Sequence, residues 1–391
     1  MKTLLTNLNI FDGERCLPGR QHLLFDQSSI LALIPIGQPL PEADEVIDCT
    51  GKTLTPGLID GHVHLGAFGM APAESPADCA RTGAKIAAQV QQVWRYGITT
   101  LCNCGVGGNV DILVRNLIRD GVIPGCRIVA CGRGISITGG HGWPINHQCD
   151  DELTALTAAR VQLREGADLV KLFATGGMGT KGSIPNASQL TEGQMKVCAD
   201  YAKQVGAFTR AHATGLEGAQ RAARAGVRII DHVPMDDATA QLMAGQGCWY
   251  CPTIVTRYRI LHTEDPRYQY MRAKANPGDL EKKKQALQRC RQYGIPVLAG
   301  TDAGPNEMVT LGDSLWTELG IYVEYDMTPA EALHCATAGA ARALHLENQT
   351  GSIRPGLCAD LAVFDGDPTQ TIADVATLCM TWQGGVLRWH R

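Results

Sequence analysis

The stretch Gly57-Leu58-Ile59-Asp60-Gly61-His62-Val63-His64-Leu65 decides the fold of this chain. It reads as a short apolar strand ending in two histidines one residue apart. Alternate residues of a strand share a face, so both imidazoles point the same way. Two neutral imidazoles so placed can each offer a ring nitrogen to one cation. The plainer alternative is a pair of histidines satisfied by hydrogen bonds at a strand end.

Outward from this strand, short apolar segments alternate with Ala-rich amphipathic helices, the pattern of βαβ units and a parallel sheet. Strands are expected near 58–64, 99–104, 127–132, 168–174, 207–212, 228–232, 249–255 and 296–301, with helices near 79–96, 152–165, 192–205, 215–225, 279–293 and 329–344. Eight such units make an α/β protein with a (β/α)8 TIM-like barrel over residues 56–349. Residues 1–55 and 350–391 instead alternate short strands with turn signals, among them Asp12-Gly13, Pro18-Gly19, Pro355-Gly356 and Gly384-Gly385. Both termini are therefore expected to build one small β-sandwich domain. The segment 264–279 reads as a long loop near the barrel mouth.

The chain has 391 residues, of which 19% are charged, and a net charge of −4. No basic face for nucleic acid or an acidic membrane is implied. Thr6, Asn7, Asn9 and Asp12 interrupt the apolar start, and no run approaches the ~20 residues of a membrane span. The fifteen cysteines are odd in number and scattered through apolar elements, which points to free thiols in a reducing cytoplasm. Cys248 and Cys251 have redox spacing but no second pair, so they read as small buried hydrophobes, as do Cys102 and Cys104. The run 176–183 lacks phosphate-loop spacing and reads as a flexible loop over the barrel mouth.

Reactive groups of a barrel sit at the C-terminal ends of its strands. Strand one ends in His62 and His64, strand four carries Lys171, strand five ends in His212, strand six in His232 and strand eight in Asp302. Six such residues meeting one rim is a stronger signal than any alone. An ammonium would repel a cation, so burial is expected to depress Lys171 until its neutral amine adds carbon dioxide. The alternative is a lysine paired with an acid or reaching to the barrel mouth.

These residues lie in stretches that resemble the amidohydrolase superfamily, in its prolidase-like and imidazolonepropionase-like branch: 55–64, 138–142, 170–177, 211–215, 230–232, 299–304 and 356–361. The resemblance implies a binuclear metal-dependent hydrolase with two divalent cations, zinc the expected metal. His62, His64 and Asp302 would hold one, His212 and His232 the other, and Lys171 as N6-carboxylysine would bridge them. Asp302 would be the catalytic base for a shared hydroxide. His141, after strand three, would contact the substrate carbonyl or carboxylate. Tyr258 or Arg257, after strand seven, would bind the substrate carboxylate, with the register between them open. Cys102-Asn103 stands where relatives carry Arg-Asp, which puts part of the supporting structure in question.

The implied reaction is cleavage of the amide bond of a dipeptide, Xaa-Pro or Xaa-basic in type, or of an N-acyl amino acid. The alternative is a deaminase or ring-opening hydrolase of a cyclic amide or amidine, with an unmodified Lys171. Expected partners are a small-molecule substrate and further copies of the chain, with neither nucleic acid nor membrane.

Overall fold

The computed structural model describes residues 1–66, 75–304 and 307–391. The chain opens with β1 (Lys2–Ile10), β2 (Gln21–Asp26), β3 (Ile30–Pro35), β4 (Glu45–Asp48) and β5 (Thr53–Pro56), and only Gly57 separates β5 from the first barrel strand. The barrel strands are β6 (Leu58–Val63), β7 (Ile98–Asn103), β8 (Arg127–Val129), β11 (Leu169–Phe173), β12 (Phe208–His212), β13 (Ile229–Asp231) and β14 (Trp249–Cys251). Two short strands, β9 (Ile135–Ser136) and β10 (His147–Gln148), lie beside β11. All these pairings are parallel. The main strands are buried almost throughout, as parallel strands covered on both faces must be. Helices between them turn alanine faces inward, such as Ala155, Ala158 and Ala159, and Ala219, Ala222 and Ala223.

The expected eighth strand is present as a bonded segment without a regular ladder. Tyr250 N donates to Pro296 O at 3.0 Å and Leu298 N to Tyr250 O at 2.9 Å on one side. On the other, Gly61 N reaches Ala299 O at 2.8 Å and His64 N reaches Ala303 O at 2.7 Å, which closes the barrel on β6. Pro296 has no amide hydrogen, and Thr301 N goes to the Asp60 carboxylate at 3.0 Å. Thr301 N is shared with His62 O at 3.2 Å, and Asp302 N donates to the same carbonyl at 2.7 Å, so two successive amides meet one acceptor and the ladder is irregular. Gly300 passes so close to His62 and Cys251 that an added Cβ would lie 2.7 Å from atoms of both.

The C-terminal strands β15 (Leu361–Phe364), β16 (Leu378–Gln383) and β17 (Val386–His390) join the N-terminal ones in an eight-stranded sheet, ordered β17-β16-β15-β5-β1-β2-β3 with β4 on β1. β1 changes partners along its length: Thr3–Thr6 pair with β4, and Asn9 and Ile10 pair with β5. Asn7, with φ 63°, marks the change. Leu5, Leu23 and Phe25 then pack with Leu54, Leu361, Val363 and Trp382 in one core, the Phe25 and Trp382 rings meeting edge to face at 5.1 Å. Asp360 ties this sheet to the barrel, accepting from Arg127 Nη1 at 2.6 Å and Thr350 Oγ1 at 2.8 Å, while its carbonyl takes Gly57 N at 2.8 Å.

Two expectations shift. Strand seven stops at Cys251 and a helix, Ile254–His262, begins where the sequence suggested continued strand. The segment 264–279 is partly helical, with Pro266–Tyr268 and Gln269–Arg272. Most of the fifteen cysteines are buried. Among the described residues no helix is long and apolar enough to cross a membrane.

Candidate metal centre and substrate cavity

His62, His64, Lys171, His212, His232 and Asp302 all line one cavity of about 320 Å³ at the C-terminal ends of the strands. His62 Nε2 and His64 Nε2 lie 3.4 and 3.2 Å from the same Asp302 oxygen. The His62 ring is 5.4 Å from that of His64 and 5.1 Å from that of His232, which lies 4.6 Å from His212. His232 and Asp302 both hold positive φ, 71° and 56°, a strained backbone that turns each side chain off its strand end toward the others.

Hydrogen bonds fix which nitrogen of each imidazole is free. His64 Nδ1 lies 3.3 Å from Gly105 O, so Nδ1 carries the proton and Nε2 the lone pair. His212 Nε2 lies 2.9 Å from Gly176 O, leaving Nδ1 as the donor atom for an ion. Thr253 Oγ1 gives its own proton to Pro252 O at 2.8 Å, so it can only accept from His232 Nδ1 at 2.6 Å. His232 Nε2 is thereby left bare. His62 Nδ1 sits between Asp231 and Arg210, and its fully buried Nε2 has no hydrogen-bond partner. An orphaned buried nitrogen beside three imidazoles and a carboxylate fits a divalent cation.

Beneath the rim lies a network the sequence reading did not assign. Asp231 accepts from Arg210 Nε at 2.8 Å and from Lys171 Nζ at 2.6 Å. Arg210, fully buried, also donates to Gly61 O and lies 3.2 Å from His62 Nδ1 and 3.6 Å from Cys102 Sγ. The small thiol at position 102 thus lies against the guanidinium. Asn103 beside it accepts from Leu65 N at 2.7 Å and donates to Asp111 at 2.8 Å. One signal for Arg210 was available: it precedes His212 by two residues and so shares its barrel-facing side.

Electrostatics follow from this packing. Burial would push the Lys171 ammonium down, but Asp231 and the buried Cys104 thiol outweigh it and hold Lys171 above its ordinary value. This corrects the expected depression. Burial alone would raise Asp231, yet Arg210 and Lys171 hold it well below the usual carboxylate range. Burial would likewise raise Asp302, but the hydrogen bond from His64 and the surrounding imidazoles bring it down to about 2. Burial, with Lys171 nearby, pushes His212 down to about 3.

At the mouth, His141 is buried, with Nδ1 2.8 Å from Thr180 Oγ1. Gly177 lies against the His141 ring with no room for a Cβ. Met178 and Gly179, from the loop 176–183, complete that wall. On the helix Ile254–His262 and its N-cap, Thr253, Thr256, Arg257 and Ile260 share the cavity-facing side at helical spacing. Tyr258 is not among the cavity residues; it is 39% exposed and stacks on His262 at 4.4 Å. Thr253 has φ 48°, held by Lys283, which donates to the carbonyls of His232 and Pro252, and by Glu318, which accepts from Ile254 N at 2.8 Å and Val255 N at 2.6 Å. Met178, Ile260 and Met271 form a small apolar cluster, with Tyr268 and Tyr270 packed on it.

Known proteins share this architecture. Ochratoxinase from Aspergillus niger is 26% identical over 421 residues, covering 96% of this chain and 84% of its own. Imidazolonepropionase from Ectopseudomonas mendocina is 25% identical over 434 residues, covering 99% and 95%. The crystal structure of a Xaa-Pro dipeptidase with methionine bound in its active site superposes with a TM-score of 0.86 at 27% identity, covering 100% of both chains. The sequence model of the Amidohydrolase family matches residues 53–385, from the last N-terminal strand through the barrel to the C-terminal strands, and the chain belongs to that family.

Proposed function

We propose that this protein hydrolyses the amide bond of a dipeptide or N-acyl amino acid whose amine half carries a free carboxylate. Similarity to a protein named as a Xaa-Pro dipeptidase supports the reaction class. The carrying observation is Arg257, whose guanidinium stands in the wall of the same cavity as the five imidazole and carboxylate ligands. Among the described residues its one ion pair, to Asp279 at 3.3 Å, and its contact with Met178 Sδ at 3.5 Å both use Nη1, which leaves other donors of the planar fork for a substrate carboxylate.

His62, His64 and Asp302 would hold one divalent cation and His212 and His232 a second, with Lys171 between them as its carbon dioxide adduct. Such cations, when bound, acidify water and polarise a carbonyl. Asp302, ionised from about pH 2 upward, takes the proton from the attacking water and passes it to the leaving nitrogen. His141, kept neutral chiefly by burial and then by His212, can donate to or accept from the substrate without adding charge. Arg257 orients the amine half by its carboxylate. Of the leaving residues expected from sequence, a basic one would face Arg257 and Lys283 in this wall.

One observation favours a second reading. Similarity to a protein named imidazolonepropionase, 25% identical over 434 residues, suits a ring-opening hydrolase of a cyclic amide or amidine in which Lys171 stays unmodified. A screen of metal-supplemented protein against dipeptides, N-acyl amino acids and cyclic amidines separates the two. Turnover of free acids, falling on the order of 10²-fold for their methyl esters, is expected. Turnover confined to cyclic amidines would overturn the proposal.

A further inference from the structure

A second cavity, of about 640 Å³, opens beside the first. Met178, Thr214, His232, Arg257 and Lys283 belong to both walls, so the two spaces meet at the ligand cluster. Arg257, Lys274 and Lys282 line the second space against the single carboxylate of Asp279, so cations outnumber acids in its wall. Asp279 is already divided between Arg257 at 3.3 Å and Lys282 at 4.0 Å. Lys274 bonds the carbonyls of Met178 at 3.2 Å and Thr180 at 2.9 Å and lies 5.9 Å from the centre of the Tyr270 ring, and Lys283 bonds the carbonyls of His232 and Pro252. Among the described residues no carboxylate lies within ion-pair distance of either. Lys282 stands at the outer edge, its side chain 56% exposed.

We propose that this second cavity is the subsite for an acidic side chain on the amine half of the substrate, so that the preferred substrate is the amide of a dicarboxylic amino acid. The proposal rests on the amide-hydrolase reading given above. A substrate carboxylate held at Arg257 puts the amine half where the two cavities join. Its side chain then runs into the second cavity, while the acyl half stays under Ile145, Phe173, Ile260 and Met271. A carboxylate there meets cations that lack a partner acid, a neutral side chain gains nothing from them, and a basic one meets like charge.

The test is a series of amides with one N-acyl group and glutamate, glutamine, leucine, proline or lysine as the amine half. Glutamate should exceed glutamine by about tenfold or more in kcat/KM at low salt, the ratio shrinking as salt rises, and lysine should be the poorest. Lys282→Glu, at an exposed position, should lower the glutamate-to-glutamine ratio by about tenfold and raise lysine. Calorimetric binding of free L-glutamate and L-glutamine to the metal-supplemented protein gives a readout apart from turnover and should show the same order. Equal values for glutamate and glutamine, or ratios unmoved by Lys282→Glu, overturn the subsite and leave amide hydrolysis standing. Glutamate binding that Lys282→Glu weakens, with no amide turned over, upholds the subsite and removes the reaction. Neither binding preference nor turnover removes both.

Discussion

Thr253→Val removes one oxygen from beneath His232 and almost no volume. The native Oγ1 is spent twice, giving its proton to Pro252 O at 2.8 Å and accepting His232 Nδ1 at 2.6 Å. In the variant Pro252 O keeps Lys283, but the His232 Nδ1 hydrogen, on a residue only 8% exposed, has nowhere to go. An unpaired buried donor costs about 1–3 kcal/mol. An imidazole freed from its outer partner loses about 10–100-fold in metal affinity, equivalent to about 1.4–2.7 kcal/mol. Valine is as β-branched as threonine, so the strain of φ 48° at position 253 is common to both and cancels. Chelator competition for zinc measures the effect, with Thr253→Ser as the control that restores the oxygen. Metal held by Thr253→Val as tightly as by the wild type, or Thr253→Ser falling equally far, would refute the assigned tautomer and the role of Thr253.

Asp302→Asn should retain metal, as counted by elemental analysis, and lose on the order of 10²–10⁴-fold in turnover; near-normal rates would remove Asp302 as the base. Lys171→Ala should lower both metal content and activity, with partial rescue by small carboxylic acids; unchanged stoichiometry would speak against a bridging carbamate. Stability of the metal-stripped chain should depend on pH through its buried imidazoles. Burial pushes His212 from 6.5 down to about 3, and it also pushes His141 and His232 down, whereas the unfolded chain protonates all three near 6.5. For these three the unfolded state binds more protons in that window, so their share of stability is complete above about pH 6.5 and drains away as pH falls toward 3; His62, held above its ordinary value in the fold, adds a share of opposite sense that is lost only as pH rises past 6.5. The thermal midpoint should drop across this range with proton uptake on unfolding. A flat profile would mean that the folded imidazoles are already charged.

The barrel and its rim were legible in the sequence because two simple periods coincide there. His62 and His64 sit two apart at a strand end, His212, His232 and Asp302 each fall where an apolar run gives out, and Lys171 interrupts one. What was not legible is tertiary. Asp231 lies in the same short motif as His232, but only the fold brings Arg210 and Lys171 to it, and that pairing reverses the expected sense of the Lys171 shift. The choice between Arg257 and Tyr258 depended on where β14 ends, because a helix starting at Ile254 sorts side chains by a period near four and a strand by two. Within the run 249–255 that switch is marked only by Pro252 and Thr253, which stand between the strand and the helix. Strand eight was found by its composition, but not its irregularity, in which the Thr301 amide is shared between the His62 carbonyl and the carboxylate of Asp60, a residue 241 positions away.

The junction at Gly57 means that the small sheet works as a jig for the chemistry. β5 is locked to β15 with Pro56 opposite Leu361, Gly57 N is pinned by Asp360, and five residues later the chain delivers His62. A slip of one residue would swing both histidines to the wrong side of the barrel wall. Engineers who trim this protein to its barrel, or splice a foreign partner in place of β15, should expect loss of metal before loss of secondary structure.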